Sequence, residues 1–303
     1  MAKYRSIKRS ITPWTKVRTF IIYIFCVHFF LFLLFVSKKL GDASITFSHL
    51  PIKLILLAAF VTVVGLLYYF KLRRNNLIYK TVSLFSTIFC SWYMAACLYF
   101  FVGLVLNPII TLTQLHSLLT DYGLKRDYIA YGAINNNMKL AVIAAEDQRF
   151  PDHDGFDVPA IKKAIKYNSR YPAKQRGAST LSQQTAKNIF LWQGGGFFRK
   201  GLEALFTFSI EKVWSKQTIL ARYLNIAEMG KGIFGVQAAA LMYFNKDASA
   251  LTAVEAAQIA ACLPNPKKYT VRPMSKYVAK RYPAILSQMN IVKNDEDVLS
   301  LLK

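Results

Sequence analysis

The chain has 303 residues, of which 39 are Lys or Arg and 16 are Asp or Glu, so its formal net charge at pH 7 is +23. Its 54% hydrophobic content excludes a disordered basic tail, because such segments lack the apolar residues that build a core. The four cysteines follow neither a metal-ligand spacing nor a disulfide framework. The apolar residues are concentrated toward the N-terminal end, which indicates a membrane protein.

Three apolar stretches in the N-terminal third predict three membrane-spanning helices. They cover residues 19–36, 54–70 and 81–106, and none of them contains a formally charged side chain. A helix needs about 20 apolar residues to cross a bilayer, so these lengths are adequate. For the second stretch a buried core helix is an open alternative. The sequence therefore predicts an N-terminal membrane region over residues 1–106.

The distribution of Lys and Arg predicts how these spans are oriented. Residues 1–18 carry six of them and residues 71–80 carry four, with no acidic residue in either segment. Cytoplasmic loops are enriched in Lys and Arg, so both segments are expected inside and residues 107–303 outside the cytoplasm. The exported part is itself basic, which suits anionic lipid headgroups or a pyrophosphate. Nucleic acid is not an expected partner, since an exported domain meets little of it.

The remaining chain divides into an irregular linker over residues 107–135 and a mainly α-helical domain over 136–303. Apolar residues three and four apart predict the helices of this domain. The predicted helices cover residues 137–149, 158–168, 180–191, 197–213, 217–228, 235–244, 252–262 and 275–291.

An acidic cluster stands out in this basic domain. Five acidic residues fall within the twelve positions EDQRFPDHDGFD, which begin at Glu146. A solvated loop with a helix cap explains the last three acids, but not Glu146. That residue ends an apolar helix, where the helix dipole disfavours a carboxylate. A raised pKa and a role as general base are therefore plausible for Glu146, whereas the spacing does not match a calcium loop.

Two later segments suggest a binding surface. In RGASTLSQQTAKN a helix start is followed by Gln183, Gln184 and Lys187, whose spacing gives one face rich in hydrogen-bond donors for sugar hydroxyls and phosphate oxygens. In RKGLE the spacing of Arg199 and Glu203 places them on one helix face. A surface ion pair of little energetic value is the open alternative for that pair.

These segments, together with KQTILARYLNIAEMG and GVQAAALMYF, stand in the order of the five motifs of the peptidoglycan glycosyltransferases, glycosyltransferase family 51. The chain most resembles the monofunctional biosynthetic branch, over roughly residues 136–290. The resemblance implies a lysozyme-like α fold, preceded here by about three transmembrane helices. It implies polymerisation of lipid II into glycan strands, with release of undecaprenyl pyrophosphate.

The resemblance also implies roles for single residues. Glu146 would be the general base that deprotonates the 4-hydroxyl of the acceptor sugar, and Glu203 the second essential glutamate, which helps to hold the donor. Lys187 and Arg199 would neutralise the pyrophosphate. The full set of implied substrate-binding residues is Asp147, Phe150, His153, Ser179, Thr180, Gln183, Gln184, Lys187, Asn188, Arg199 and Lys200. A divalent cation, Mg²⁺ or Mn²⁺, is the implied cofactor, with no residues indicated as its ligands and no organic cofactor.

The implied location is the bacterial cytoplasmic membrane, with several spans and the catalytic domain on the extracytoplasmic side. The implied partners are lipid II, the growing glycan strand, membrane lipids and proteins of cell-wall synthesis or division. The chain departs from the family pattern in three places. It has GAST where GGST is commoner, Gly195 where a basic residue is often found, and three predicted spans where one is usual.

Two other functions stay open on the sequence. A hydrolase or lytic enzyme on the same fold would need a general acid at the leaving oxygen, whereas the cations around Glu203 favour a pyrophosphate leaving group, which needs none. A non-catalytic scaffold for cell-wall assembly would not need both glutamates. A bifunctional synthase is not expected, because the trailing Ser-x-x-Lys match lies at residues 300–303 and leaves no room for a transpeptidase domain.

Overall fold

The computed structural model describes residues 13–42, 63, 75–174 and 176–303, in two units, Met1–Leu98 and Tyr99–Lys303. In the first unit lie helix α1 (Pro13–Asp42) and most of helix α2 (Asn76–Val102). Both are long and apolar enough to cross a membrane. They correspond to the first and third predicted spans. The second predicted span, 54–70, lies outside the described residues except for Val63, so two candidate membrane helices are observed rather than clearly three.

Aromatic packing and a few polar contacts join α1 to α2. The ring of Phe25 meets Phe89 and Tyr93 edge-on, with centroids 5.0 and 5.2 Å apart. Arg18 donates to the Ser83 hydroxyl over 2.7 Å. The edge-on ring contacts add to the apolar packing of the two helices, and the hydrogen bond gives the Arg18 guanidinium a polar partner.

The second unit is mainly helical, as predicted. Its helices are α3 (Leu112–Leu118), α4 (Asn136–Glu146), α5 (Val158–Arg170), α6 (Leu181–Phe190), α7 (Phe197–Val213), α8 (Lys216–Ile226), α9 (Val236–Phe244), α10 (Ala253–Cys262), α11 (Lys276–Val292) and α12 (Glu296–Leu302). Every helix predicted within 137–291 is present, with ends that differ by at most three residues. Capping boxes at Thr180 and Thr252 fix two of these starts, because each hydroxyl satisfies a free N–H of the first turn.

A small sheet adds to this unit. Strands β1 (Lys125–Arg126), β2 (Glu228–Gly230) and β3 (Ile233–Phe234) lie in the order β1-β3-β2. Strand β1 runs parallel to β3 with Lys125 opposite Ile233, and β2 is antiparallel to β3. The segment 107–135, predicted as a linker, therefore contributes α3 and β1 to the second unit.

Helix α4 is the centre of the core. All seven residues from Met138 to Ala144 are buried, and α10 and α11 pack against them. Helix α10 is rich in alanine, which allows close approach to α4. A second group is formed by α6, which packs on α7 and α8. Helix α4 with α10 and α11 forms the first group. Glu146, the last residue of α4, contacts α6 of the second group through Gln184.

Candidate active site

Glu146 is the last residue of α4, and its carboxylate meets a side chain of α6. The Nε2 of Gln184 donates a 2.7 Å hydrogen bond to Oε2 of Glu146. The amide of Gln184 is oriented in turn by Tyr223 of α8, whose hydroxyl donates to Gln184 Oε1 over 3.2 Å. The three side chains come from three helices, so the position of the donor depends on the packing of the whole unit.

The electrostatic surroundings of Glu146 suit a proton acceptor. Burial raises the pKa of the Glu146 carboxyl, and the neighbouring Asp147 adds to this. The hydrogen bond from Gln184 and the positive charges of Arg281 and Lys187 act in the opposite direction. A carboxyl with a raised pKa binds a proton more readily near neutral pH, which is what a general base requires.

The ammonium of Lys187 is close enough to both candidate carboxylates for each to influence its pKa. Burial lowers the pKa of its ammonium, while the charges of Glu203 and Glu146 raise it. Arg199 and Lys200 lower it further, since like charges disfavour each other. Three cations, Lys187, Arg199 and Lys200, thus interact with only two carboxylates, so the positive charge here is not fully neutralised.

Glu203 is the second carboxylate, and it is buried in α7, with 3% of its surface exposed. Its Oε2 accepts a 2.8 Å hydrogen bond from Arg199, and Lys200 contacts its Oε1. The alternative of a surface ion pair is therefore wrong. The Nε of Arg199 is buried and has no hydrogen-bond partner in the described part of the chain. An orphan donor beside Lys200 is where an anionic ligand would be stabilised.

The loop after α4 is tied to the start of α6 through Asp147. The backbone N–H of Leu181 donates to Asp147 Oδ2 over 2.9 Å, and His153 lies 3.0 Å from Oδ1. The N–H of Gly155 donates to Nδ1 of His153, which leaves Nε2 as the protonated nitrogen that donates to Asp147. Thr180 closes the connection, since its hydroxyl donates to the carbonyl of Gly155 over 2.7 Å.

The eleven predicted binding residues fall into two groups. One group is buried and makes contacts within the fold: Asp147, Phe150, His153, Thr180 and Gln183. The other is partly or fully exposed: Ser179, Gln184, Lys187, Asn188, Arg199 and Lys200. The structure brings most of the second group onto α6 and the first turn of α7, and the Nζ of Lys200 lies 3.4 Å from the Ser179 hydroxyl. Direct substrate contact stays a prediction for them.

Sequence reasoning missed two residues of this site, Tyr223 and Arg281. Tyr223 lies inside the fourth motif segment, but nothing in its spacing singles it out, because it is a buried aromatic residue in an apolar helix. Arg281 is one of three basic residues on α11, and nothing in its spacing distinguishes it from the other two. Only the packing of α8 and α11 brings them to α6 and α4. Within the described ranges, no group of three or more His, Cys, Asp or Glu side chains is arranged to hold a metal ion.

Comparison with known proteins gives one consistent result. The family model of the transglycosylases matches residues 113–290, which is more than half of the chain. Biosynthetic peptidoglycan transglycosylases of Salmonella enteritidis PT4 and Salmonella typhi are each 59% identical to it over 163 residues. That alignment covers 54% of this chain and 67% of each relative. The resemblance predicted from the five motifs is confirmed, and the chain belongs to the transglycosylase family.

Proposed function

We propose that this transglycosylase polymerises lipid II into glycan strands for cell-wall biogenesis, with release of undecaprenyl pyrophosphate. A single observation carries the proposal: the same site contains Glu146, a carboxyl of raised pKa, and a basic cluster around Glu203. The basic cluster consists of Lys187, Arg199 and Lys200. The names of the similar Salmonella proteins, which refer to peptidoglycan biosynthesis, support the choice of substrate.

Glu146 acts as the general base in this scheme. Gln184 occupies its Oε2, and no hydrogen bond from the described residues occupies Oε1, so Oε1 is the oxygen that takes the proton. The proton comes from the 4-hydroxyl of the acceptor sugar. The resulting oxygen attacks the anomeric carbon of the donor, the bond from that carbon to the pyrophosphate breaks, and the configuration inverts.

The basic cluster stabilises the leaving group. Negative charge develops on the pyrophosphate as the bond breaks, and positioned cations stabilise that charge most effectively where water is scarce. Lys187 and the unsatisfied Nε of Arg199 are the donors proposed for this role, with Lys200 at the more exposed edge. Glu203 keeps the two basic residues of α7 in place, since it bonds to both.

A divalent cation stays a prediction of the family resemblance. Both oxygens of Glu203 contact basic side chains, and the described residues supply no cluster of the oxygen ligands that Mg²⁺ or Mn²⁺ prefers. The described residues alone therefore do not fit a resident metal site. No step of the proposed reaction passes through a metal.

We propose an anchored enzyme at the bacterial cytoplasmic membrane, crossing it more than once, with the catalytic unit on the extracytoplasmic side. Two apolar helices support anchoring, and the Lys and Arg bias supports the orientation. Phe197 and Phe198 at the start of α7 are 98% and 71% exposed, which suits contact with the bilayer surface from which a lipid-linked substrate arrives. Proteins of cell-wall synthesis or division are proposed partners.

The test is a polymerisation assay with the full chain purified in detergent. Labelled lipid II is supplied with Mg²⁺, and the products are resolved by size for the wild type and for Glu146→Gln, whose folding is checked by circular dichroism. We expect long glycan from the wild type and none from the variant. In a parallel reaction preformed glycan strands replace lipid II, and release of short muropeptides from them would instead identify a hydrolase. Bound but unreacted lipid II with both proteins would identify a scaffold.

A further inference from the structure

A cavity of about 520 Å³ lies in the second unit, and neither Glu146 nor Glu203 lines it. One wall is a face of α8, formed by Gln217, Thr218, Ala221, Arg222 and Asn225. The other walls are formed by residues 105–107, residues 128–132 and Lys303. No Asp or Glu side chain lines it. The cavity shares no residue with the proposed catalytic machinery.

Arg222 brings a buried positive charge to this cavity. Only 8% of the residue is exposed, and burial lowers the pKa of its guanidinium, which nevertheless stays charged. Its Nε donates to the carbonyl of Gly103 over 2.8 Å and its Nη1 to Oδ1 of Asn107 over 3.0 Å. Both acceptors are neutral, and none of the described carboxylates pairs with it. A buried charge without a counter-charge is costly, so an anion in the cavity would stabilise it.

The first turn of α8 adds to the positive potential. Ser215 caps this helix by accepting a 3.1 Å hydrogen bond from the N–H of Thr218. Gln217 and Thr218, which belong to this first turn, both line the cavity. The N–H groups of a first helical turn carry partial positive charge, which favours anions. The side chain of Gln217 is exposed and supplies an amide donor. Helix end and guanidinium therefore favour the same kind of ligand.

Part of the cavity lining directly follows the candidate membrane helix α2 in sequence. Val105 and Leu106, which line it, follow closely after Val102, the last residue of α2, and they are 79% and 61% exposed. Helix α2 has 27 residues and is therefore about 40 Å long. That exceeds the roughly 30 Å of a hydrocarbon core, so its end reaches the headgroup layer of a membrane that it spans.

We propose that the cavity binds the phosphate of an anionic membrane phospholipid, held by Arg222 and the first turn of α8, with the acyl chains lying along Val105 and Leu106. This inference rests on the proposed membrane location, but not on the proposed chemistry. The bound lipid supplies the counter-charge of Arg222 and connects the segment after α2 to α8.

The test measures lipid retention by the full chain in detergent, using native mass spectrometry with phosphatidylglycerol and, in parallel, phosphatidylcholine. The informative variant is Gln217→Glu. A carboxylate in the first turn of α8 suits the helix dipole and leaves the contacts of Arg222 in place, so folding is preserved. It nevertheless puts a negative charge into the cavity. Asn294→Asp is the matched control, because it makes the same charge change at an exposed position just before α12, outside the cavity.

We expect the wild type and Asn294→Asp to retain phosphatidylglycerol in preference to phosphatidylcholine, and Gln217→Glu to lose about tenfold in affinity for it. Arg222→Gln should lose retention as well. Equal retention by Gln217→Glu and the wild type would overturn the proposal, and so would equal retention of the two lipids. Displacement of phosphatidylglycerol by millimolar inorganic phosphate would assign the cavity to free anions instead. Glycan synthesis from lipid II is measured on the same samples and should be unchanged in Gln217→Glu, so a failure of the proposed catalysis would be seen separately.

Discussion

The amide of Gln184 donates a 2.7 Å hydrogen bond to the carboxylate of Glu146, which joins the end of α4 to the second turn of α6. A hydrogen bond donated to a carboxylate stabilises its ionised form. Gln184 therefore opposes the effect of burial, which raises the pKa of Glu146. The balance between them sets the pH range in which Glu146 can accept a proton.

Replacing Gln184 by Met should shift the pH dependence of glycan synthesis. Without the donated hydrogen bond the pKa of Glu146 rises further, so the carboxylate is protonated over a wider acidic range and the acid limb moves to higher pH. We expect a rate about tenfold below the wild type at pH 6 and a smaller deficit at pH 8. Initial rates of lipid II polymerisation across this range provide the measurement.

Tyr223→Phe is the control for that shift. It removes the hydroxyl that orients Gln184 but keeps the amide donor, so its pH profile should lie between those of the wild type and Gln184→Met. A Gln184→Met profile that falls by the same factor at every pH would show that the amide positions substrate rather than tuning Glu146.

The sequence predicted the helices well because each has its own local signal. Apolar spacing identified α4 to α11, and a capping box at Thr252 marked the start of α10. The strands were missed because each has only two or three residues, too few for alternation to be visible. The short helix α3 was missed for a similar reason, since seven residues contain barely two helical turns.

The candidate site was predictable where its residues lie close together in sequence. Arg199 and Glu203 are one turn apart, so their pairing follows from helix geometry, although its burial does not. Arg281 and Tyr223 are far from Glu146 along the chain, and only tertiary packing brings them near it. Resemblance supplied the roles of Asp147 and Phe150, but not the finding that both are buried inside the fold.

Asp147→Asn should destabilise the second unit. The carboxylate accepts hydrogen bonds from Leu181 and His153 in a buried position, and an amide cannot accept both without also burying an unpaired donor. We expect a loss of about 1–3 kcal/mol in the free energy of unfolding. Thermal unfolding of the full chain in detergent would show this as a lowered midpoint.

The matched control for this prediction is Asp152→Asn. Asp152 belongs to the same acidic cluster, but its ion pair with Arg149 is 3.4 Å long and both side chains are substantially exposed. The contribution of Asp152 to the free energy of unfolding should be close to zero, because exposed ion pairs stabilise little. Equal midpoints for the two variants would contradict a structural role for Asp147.

The two basic residues of α7 should differ in their tolerance of conservative change. Arg199→Lys keeps the charge but removes the buried Nε and the planar guanidinium, whereas Lys200→Arg alters a side chain that is 47% exposed. We expect kcat/KM for lipid II to fall about tenfold or more in Arg199→Lys and by less than about threefold in Lys200→Arg. Similar losses in both would mean that net charge alone, rather than the geometry of Arg199, is what the substrate requires.

Gly195 should not tolerate the basic residue that the family resemblance led us to expect in this loop. Its φ is +93°, and an added Cβ would lie 3.1 Å from the Cβ of Arg199. Gly195→Arg would strain the backbone by about 1–3 kcal/mol and displace Arg199 from Glu203, so polymerisation should fall although a cation has been added. Gly196→Ser is the control, because Gly196 has a negative φ, open space around it and the N-cap position of α7, where serine is favoured. Measured side by side, Gly196→Ser should keep near wild-type rates; a gain of activity in Gly195→Arg would show that this loop lacks a cation that the substrate needs.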